Sequence, residues 1–361
     1  MSSELNWLFS EYGNKGDIDR LISLAKDLEK ANNLRMAATA YDRAFGLAPK
    51  NEDIIKARKR VLDQLAVVEY GIIFRYIPAG SFLMGSESGD PDERPIHPVQ
   101  LSEIWLSETP ISWTVYCDLM NFKPPPSGIP KGDQRRFGER RRLPGSPALK
   151  LQYHYCASFS EQSSGLRHNT WPTADEYNQK PLIAVSWQDA EDCCHRISTT
   201  ETLYRLPTEA EWEKAARGGL INCRYPWGNE PPDEEKCDFN RLEQFSILPM
   251  RQFNPNGYGL YAMSGCVWEW TADWYDANYY SISPKHNPRA PRASERCIRG
   301  GSWSDCAEAV TVSFRMSFKS PFMRENPVRD GYMFHNRYHP RTPNIGFRIC
   351  REEIKHSILY E

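Results

Sequence analysis

No two of the ten cysteines in this 361-residue chain are spaced Cys-x-x-Cys, and their intervals follow no regular pattern. A zinc ribbon needs such paired knuckles, and a disulfide-stapled scaffold would be far shorter, so both are excluded and mostly reduced, partly buried thiols are expected. No apolar run approaches eighteen residues, and the opening MSSELNWLFSEYGNKGDIDR has no basic segment followed by an apolar one. A soluble, cytoplasmic chain with no membrane contact is therefore expected. Neither sign of charge dominates: 45 Lys and Arg stand against 47 Asp and Glu, for a net charge of −2. That excludes a generally polybasic nucleic-acid binder and confines any charge signal to local stretches. Histidine is missing from residues 1–68, so that segment cannot supply an imidazole metal site.

What is plentiful is aromatic: eleven Trp, eighteen Tyr and fifteen Phe, residue types that favour strands and recognition surfaces alike. Residues 1–68 nevertheless read as helical. Ile18, Leu21, Leu24, Ala25 and Leu28, then Ala37, Ala40, Tyr41 and Ala44, recur three and four apart. AATAYDRAFGLAPKN resembles the second helix of a tetratricopeptide repeat, and Asp17 to Lys50 spans the 34-residue period of that repeat. One such helical pair cannot bury its own apolar face. NEDIIKARKRVLDQLAVV is expected to cap it, and the module to dock on the next domain or to self-associate.

From Tyr70 the pattern turns to alternation punctuated by Gly and Pro, as in GIIFRYIPAGSFLMGS, which reads as short strands and turns. Helices are predicted for TPISWTVYCDLMNF, SWQDAEDCCHRISTT and LPTEAEWEKAARGG. The last carries a capping box, Thr208 with Glu211, and ends at Gly218. After residue 220 little helix is expected. The segments IPAGSFLMGS, ERPIHPVQLSEIWLSETPIS, PLIAVSWQDAEDCC, YRLPTEAEWEKAARGG, YPWGNE, NPNGYGLYAMSGCVWEWTADWY, RCIRGGSW and NIGFRIC, in this order, resemble the sulfatase-modifying-factor family, also called formylglycine-generating-enzyme-like. The resemblance implies an α+β, C-type-lectin-like domain with long loops over residues 70–355, preceded by the helical module at 1–68 and interrupted by a family-atypical insertion at 122–180.

The family contains copper oxidases, iron-dependent sulfoxide synthases, kinase partners and variable binding proteins, so function has to be argued from the site. The oxidases hold Cu(I) between two thiolates five residues apart, between GGSW and GFR, because soft sulfur donors suit that ion. Matching SFRMSF to the family places Met316 at the second position and Thr311 at the first, with Cys306 out of register. Copper is not expected. The resemblance also implies calcium ligands, of which Asn240, Arg241, Gly265, Val267 and Glu269 remain, while Ala262 stands where an amide is required; only weak calcium binding is expected. Glu269 is alternatively expected to pair with an arginine.

Two stretches are basic, KGDQRRFGERRRLPGSPALK and the loop from Arg315 to Arg348, each with seven Lys or Arg against two acids. The second is expected to form a recognition face with Trp303, Arg315, Met316, Phe318, His335, Arg337, Tyr338 and His339, residue types that dominate binding hot spots. Met316 could instead fill the core beside Phe314 and Phe318. The expected function is recognition of a protein partner with an acidic surface, nucleic acid being the less favoured ligand. No catalytic residue is assignable. The alternative is a metal-dependent oxidase or oxygenase with a divergent site at His335 and His339, whose HxxxH spacing suits a metal pair on a helix.

Overall fold

The computed structural model describes residues 15–121, 178–183, 185–241, 247–318 and 344–354. The Arg-rich insertion and His335, Arg337, Tyr338 and His339 lie outside them.

The N-terminal module is three helices. Helix α1 (Ile18–Lys30) buries Leu21 and Ala25, and α2 (Leu34–Leu47) starts where the Asn33 side chain accepts the amide of Met36. Ala37, Ala38, Ala40 and Ala44 of α2 are buried, because small side chains let neighbouring helices approach closely. Helix α3 (Glu52–Gln64) is capped by Asn51, whose side chain accepts from the amides of Asp53 and Ile54. The module docks within the chain: its apolar residues belong to the same hydrophobic cluster as Phe74, Trp105, Trp268 and Phe347.

Arg58 of α3 fixes this docking. Its guanidinium donates to Asp42 Oδ1 at 2.6 and 2.9 Å, to Gly257 O at 2.6 Å and to Gly218 O at 3.0 Å. It also lies over the rings of Phe45 and Tyr258, at 4.4 and 4.7 Å from their centroids. One buried cation thereby ties the module to two loops of the domain that follows.

That domain is α+β. A five-stranded sheet runs in the order β1 (Val67–Glu69), β2 (Ile72–Ile77), β5 (Ile104–Ser107), β11 (Cys350–Glu353), β6 (Thr202–Arg205). Strands β3 (Gly80–Met84) and β4 (His97–Leu101) pair separately. A four-stranded sheet follows the order β10 (Ile345–Phe347), β7 (Trp268–Trp274), β8 (Arg296–Arg299), β9 (Arg315–Phe318), with only β10 and β7 parallel. Three helices pack among the sheets: α4 (Trp113–Met120), α5 (Trp187–Ile197) and α6 (Glu209–Arg217). Helix α6 has the expected capping box, with Thr208 and Glu211 exchanging backbone bonds, and stops at Gly218 in the left-handed conformation, φ 60°.

Every residue of α6 is buried, including four ionised side chains besides Glu209. Buried charge is costly unless paired, and all of these except Lys214, which donates to backbone carbonyls, have an ionic partner. The helix therefore carries a network: Glu213 takes Arg217 at 2.7 Å and Arg299 at 2.5 Å, and Glu211 takes Arg205 at 2.7 and 2.8 Å. Through Arg299 of β8 and Arg315 of β9, α6 sets the position of the edge strand on which the candidate site is built.

Candidate functional site: the groove beside the last edge strand

Strand β9 pairs with β8 in the register Arg299↔Arg315, Ile298↔Met316, Cys297↔Ser317 and Arg296↔Phe318. Alternation along a strand then sends Arg315 inward and Met316 outward. Met316 is 37% exposed, so it is a surface residue and does not fill the core. Arg315 is 3% exposed and corrects the expectation of a binding arginine. Its Nε and Nη2 meet Glu209 Oε1 and Oε2 at 2.7 and 2.8 Å, and Nη1 donates to the carbonyls of Asp92 and Asp276 at 3.1 and 3.0 Å. Burial alone would raise the Glu209 carboxyl, but the flanking Arg315 and Arg299 hold it below the usual carboxylate range.

Trp303 is likewise internal, packed with Ile183, Met250, Cys266 and Val267. The turn before it explains why. Gly300 and Gly301 have φ of 100° and 67°, and a Cβ on Gly301 would come within 2.7 Å of Ala309 O, so the chain can fold back only there. Asp305 then ties the loop by accepting Ser302 N and Trp268 Nε1, both at 2.9 Å. Phe318 is half-buried and meets the Trp270 ring edge-on at 5.7 Å, packed against the core and not a projecting anchor. The expected surface face thus keeps Met316 alone among its four described members.

Two adjoining depressions share Asp90 and Phe314. The larger, of ≈ 600 Å³, is an open groove lined by Asp92, Tyr275, Asn278, Arg315 and Met316. The smaller, of ≈ 90 Å³, is lined by Glu93, Arg224, Glu308, Thr311 and Ser313. Thr311 is buried and committed to its own turn, donating to Glu308 O at 3.1 Å and accepting Phe314 N at 3.2 Å. Glu93 is 2% exposed; its Oε1 accepts Asp90 N at 2.9 Å, whereas its Oε2 has no hydrogen-bond partner among the described residues. Burial pushes this carboxyl up. The groove carries Asp90 and Asp92, with Arg315 already neutralised by Glu209, and the smaller depression carries Glu93 and Glu308 against Arg224. The groove's described part is acidic, because Arg315 turned inward; the other basic residues of the expected face before Arg348 lie outside the described residues. Three of these acids, Asp90, Asp92 and Glu93, stand in DPDER, a stretch that gave no signal of its own.

No described thiolate pair stands at this site. Thr311 and Met316, matched to the copper positions, lie on opposite sides of Phe314 and in different depressions. Cys306 is itself five residues before Thr311, so this second register joins one thiol to one hydroxyl and also lacks a second sulfur. Cys306 is exposed; the other described cysteines are buried. Burial raises Cys117 to about 11 and both Cys193 and Cys237 to about 12, which keeps them as neutral thiols at pH 7.

Of the positions matched to calcium ligands, the Glu269 carboxylate is engaged by protein groups. Glu269 is fully buried and accepts Arg348 Nε at 2.8 and 3.0 Å and Trp212 Nε1 at 2.7 Å. Arg348 goes on to the carbonyls of Ser107, Glu108 and Tyr261, so a guanidinium sits where this carboxylate would need a metal. Val267 is buried, and Gly265 packs so closely on Asp238 that a Cβ would lie 2.1 Å from its carbonyl. The backbone N–H of Asn240 donates to Asp305 O, and the Arg241 side chain pairs with Asp238 at 2.9 Å. Among the described residues no group of three or more His, Cys, Asp or Glu is placed to hold a metal ion.

The fold and these motifs define a C-type-lectin-like α+β protein. Residues 73–352 match the "Sulfatase-modifying factor enzyme 1-like domain", and the chain belongs to that family. It is 31% identical over 274 residues to the formylglycine-generating enzyme of Thermomonospora curvata, covering 68% of this chain and 86% of the relative. A stretch of 138 residues is 37% identical to the inactive C-alpha-formylglycine-generating enzyme 2 of Bos taurus, covering 36% of this chain and 40% of that one. Among solved structures, Treponema denticola variable protein 1 superposes with a TM-score of 0.56 at 18% identity, over 79% of this chain and 97% of that one, a likeness of fold alone.

Proposed function

We propose that this protein is a recognition module of the formylglycine-generating-enzyme-like family that has lost copper oxidation and binds a protein partner in the groove beside β9. The observation that carries this reading is the fate of the paired sulfur positions. One is a hydroxyl locked into its own turn at Thr311, the other a thioether exposed on an edge strand at Met316. A thioether and a hydroxyl cannot supply the two anionic sulfurs that hold Cu(I). The existence of a relative named as inactive supports the loss of chemistry within this family.

Met316, Phe314 and Tyr275 offer an adaptable apolar floor, and Asp90 and Asp92 give the groove a negative rim. The segment it fits best is an apolar or aromatic side chain flanked by Lys or Arg. An acidic partner surface, as the sequence led one to expect, would have to be met by residues 319–343. Calcium and copper play no part in this reading.

Two measurements test it. Incubation with Cu(I), reductant, oxygen and a Cys-x-Pro-x-Arg peptide should leave the peptide mass unchanged; turnover would overturn the reading. A photo-reactive residue at position 316 should cross-link one partner in cells, and Asp90→Lys with Asp92→Lys should abolish that product. Cross-linking that survives both reversals would place recognition elsewhere.

A further inference from the structure

A second cavity, of ≈ 70 Å³, lies between the helical module and the lectin-like domain, far in sequence from the groove at β9. Its walls come from α2 (Thr39, Asp42, Arg43), from the start of β3 (Ser81), from α6 (Lys214) and from Tyr258. It exists only because the module docks. Residues 15–64 lie outside the family match, so nothing in the family's chemistry accounts for this space.

Among the described residues, the wall holds an ammonium that no carboxylate contacts, Asp42 acting on it only from a distance. Lys214 is 5% exposed, and its Nζ donates to Pro78 O at 2.5 Å and Gly80 O at 3.2 Å. An ammonium has three N–H donors, so two carbonyls leave one donor unassigned. No carboxylate pairs with it among the described residues. The acid of the cavity, Asp42, is already satisfied: Oδ1 takes two bonds from Arg58, and Oδ2 accepts the Tyr258 hydroxyl at 2.9 Å. Glu213, one residue away in α6, is held by Arg217 and Arg299. Arg43, half-buried on α2 and already attracted by Asp17, adds a second cation to the same wall. A buried charge costs several kcal/mol unless paired, so this position favours an incoming anion.

We propose that the cavity is a binding site for a small oxyanion, a carboxylate or a phosphate, with Lys214 as its counter-ion and Arg43 as the second cation. The volume admits a group of a few heavy atoms, and the half-buried Gly46, Leu47, Ser81 and Ile221 frame its mouth. An occupant would bridge the helical module and the domain, so its binding free energy adds to their docking.

The test is calorimetric and thermal titration of the full chain at pH 7.5 and constant ionic strength with sodium acetate, sodium phosphate or sodium chloride. Saturable binding, with a matching rise in melting temperature, is expected for acetate or phosphate and not for chloride. A response to acetate alone assigns a carboxylate, and one to phosphate alone a phosphate. Lys214→Met should weaken the affinity by about tenfold or more, the scale of a hydrogen bond to a charged group. Arg43→Gln, at a less buried position, should weaken it severalfold and remains readable if Lys214→Met fails to fold. The proposal is overturned if neither oxyanion binds saturably, or if either folded variant binds as tightly as the parent chain.

Discussion

Arg315 and Glu209 meet in a two-pronged ion pair, Nε to Oε1 at 2.7 Å and Nη2 to Oε2 at 2.8 Å, with both side chains almost wholly out of water. The strand that presents the candidate site is thus anchored to the interior by the residue that its charge would have assigned to the surface. Removing one partner of such a pair leaves an uncompensated buried charge, at a cost of about 3–5 kcal/mol. Arg315→Ala should therefore lower the urea unfolding free energy by that amount. Met316→Ala, one residue on and exposed, should change it by less than about 0.5 kcal/mol, the usual range for surface substitutions. Equal losses from the two variants would contradict the inward and outward assignment.

The helical module should not behave as an independent unit. Arg58→Met abandons Asp42 and two loop carbonyls, and a loss of roughly 3–5 kcal/mol is expected. Limited proteolysis should then release residues 1–64 first, and truncation at residue 66 should yield an aggregating domain, because Tyr258 and its neighbours lose their cover. A soluble truncated domain with an unchanged melting temperature would show that the docking contributes nothing.

Ala262 has φ of 53°, a conformation that costs a non-glycine residue about 1 kcal/mol. Ala262→Asn and Ala262→Gly should each raise stability by about 0.5–1 kcal/mol in the presence of a chelator, seen as a higher melting temperature. The asparagine restores the amide that the family resemblance places in a calcium site, yet Glu269 stays bound to Arg348. Millimolar calcium should therefore add nothing to the variant. Calcium-dependent stabilisation of Ala262→Asn would mean that Arg348 yields the carboxylate to a metal.

Burial lowers the Lys214 ammonium from 10.5 to about 8. Between those values the unfolded chain binds more protons than the folded one, so stability should rise as pH climbs from 8 to 10.5. The gain is on the order of 3 kcal/mol at most, since one proton held or released across one pH unit is worth about 1.4 kcal/mol. The difference between the parent chain and Lys214→Met, measured by urea unfolding in amine buffers with chloride, isolates this contribution from other titrations. A flat difference across that window would place Lys214 in contact with a counter-charge.

Much of the fold was legible because it rests on local chemistry. The three-and-four spacing from Ile18 to Ala44 sets a helical pair whatever lies around it, and Thr208, Glu211 and Gly218 delimit α6 with their own side chains or lack of one. The chain also determined by itself that no pair of thiols stands at positions 311 and 316, since that follows from residue identity alone. Direction and charge at the site were decided elsewhere. Whether Arg315 faced a partner or the core depended on Glu209, 106 positions away, and on the β8–β9 register that sends alternate side chains to opposite faces. Asp90 and Asp92 became the rim of a groove only when the loop before β4 came to lie against β9. Glu269 could read as a metal ligand or an arginine partner until the fold brought Arg348, 79 residues on, against its carboxylate. Such pairings are set by tertiary contact, because a charge in a low-dielectric interior takes whichever opposite charge the packing delivers.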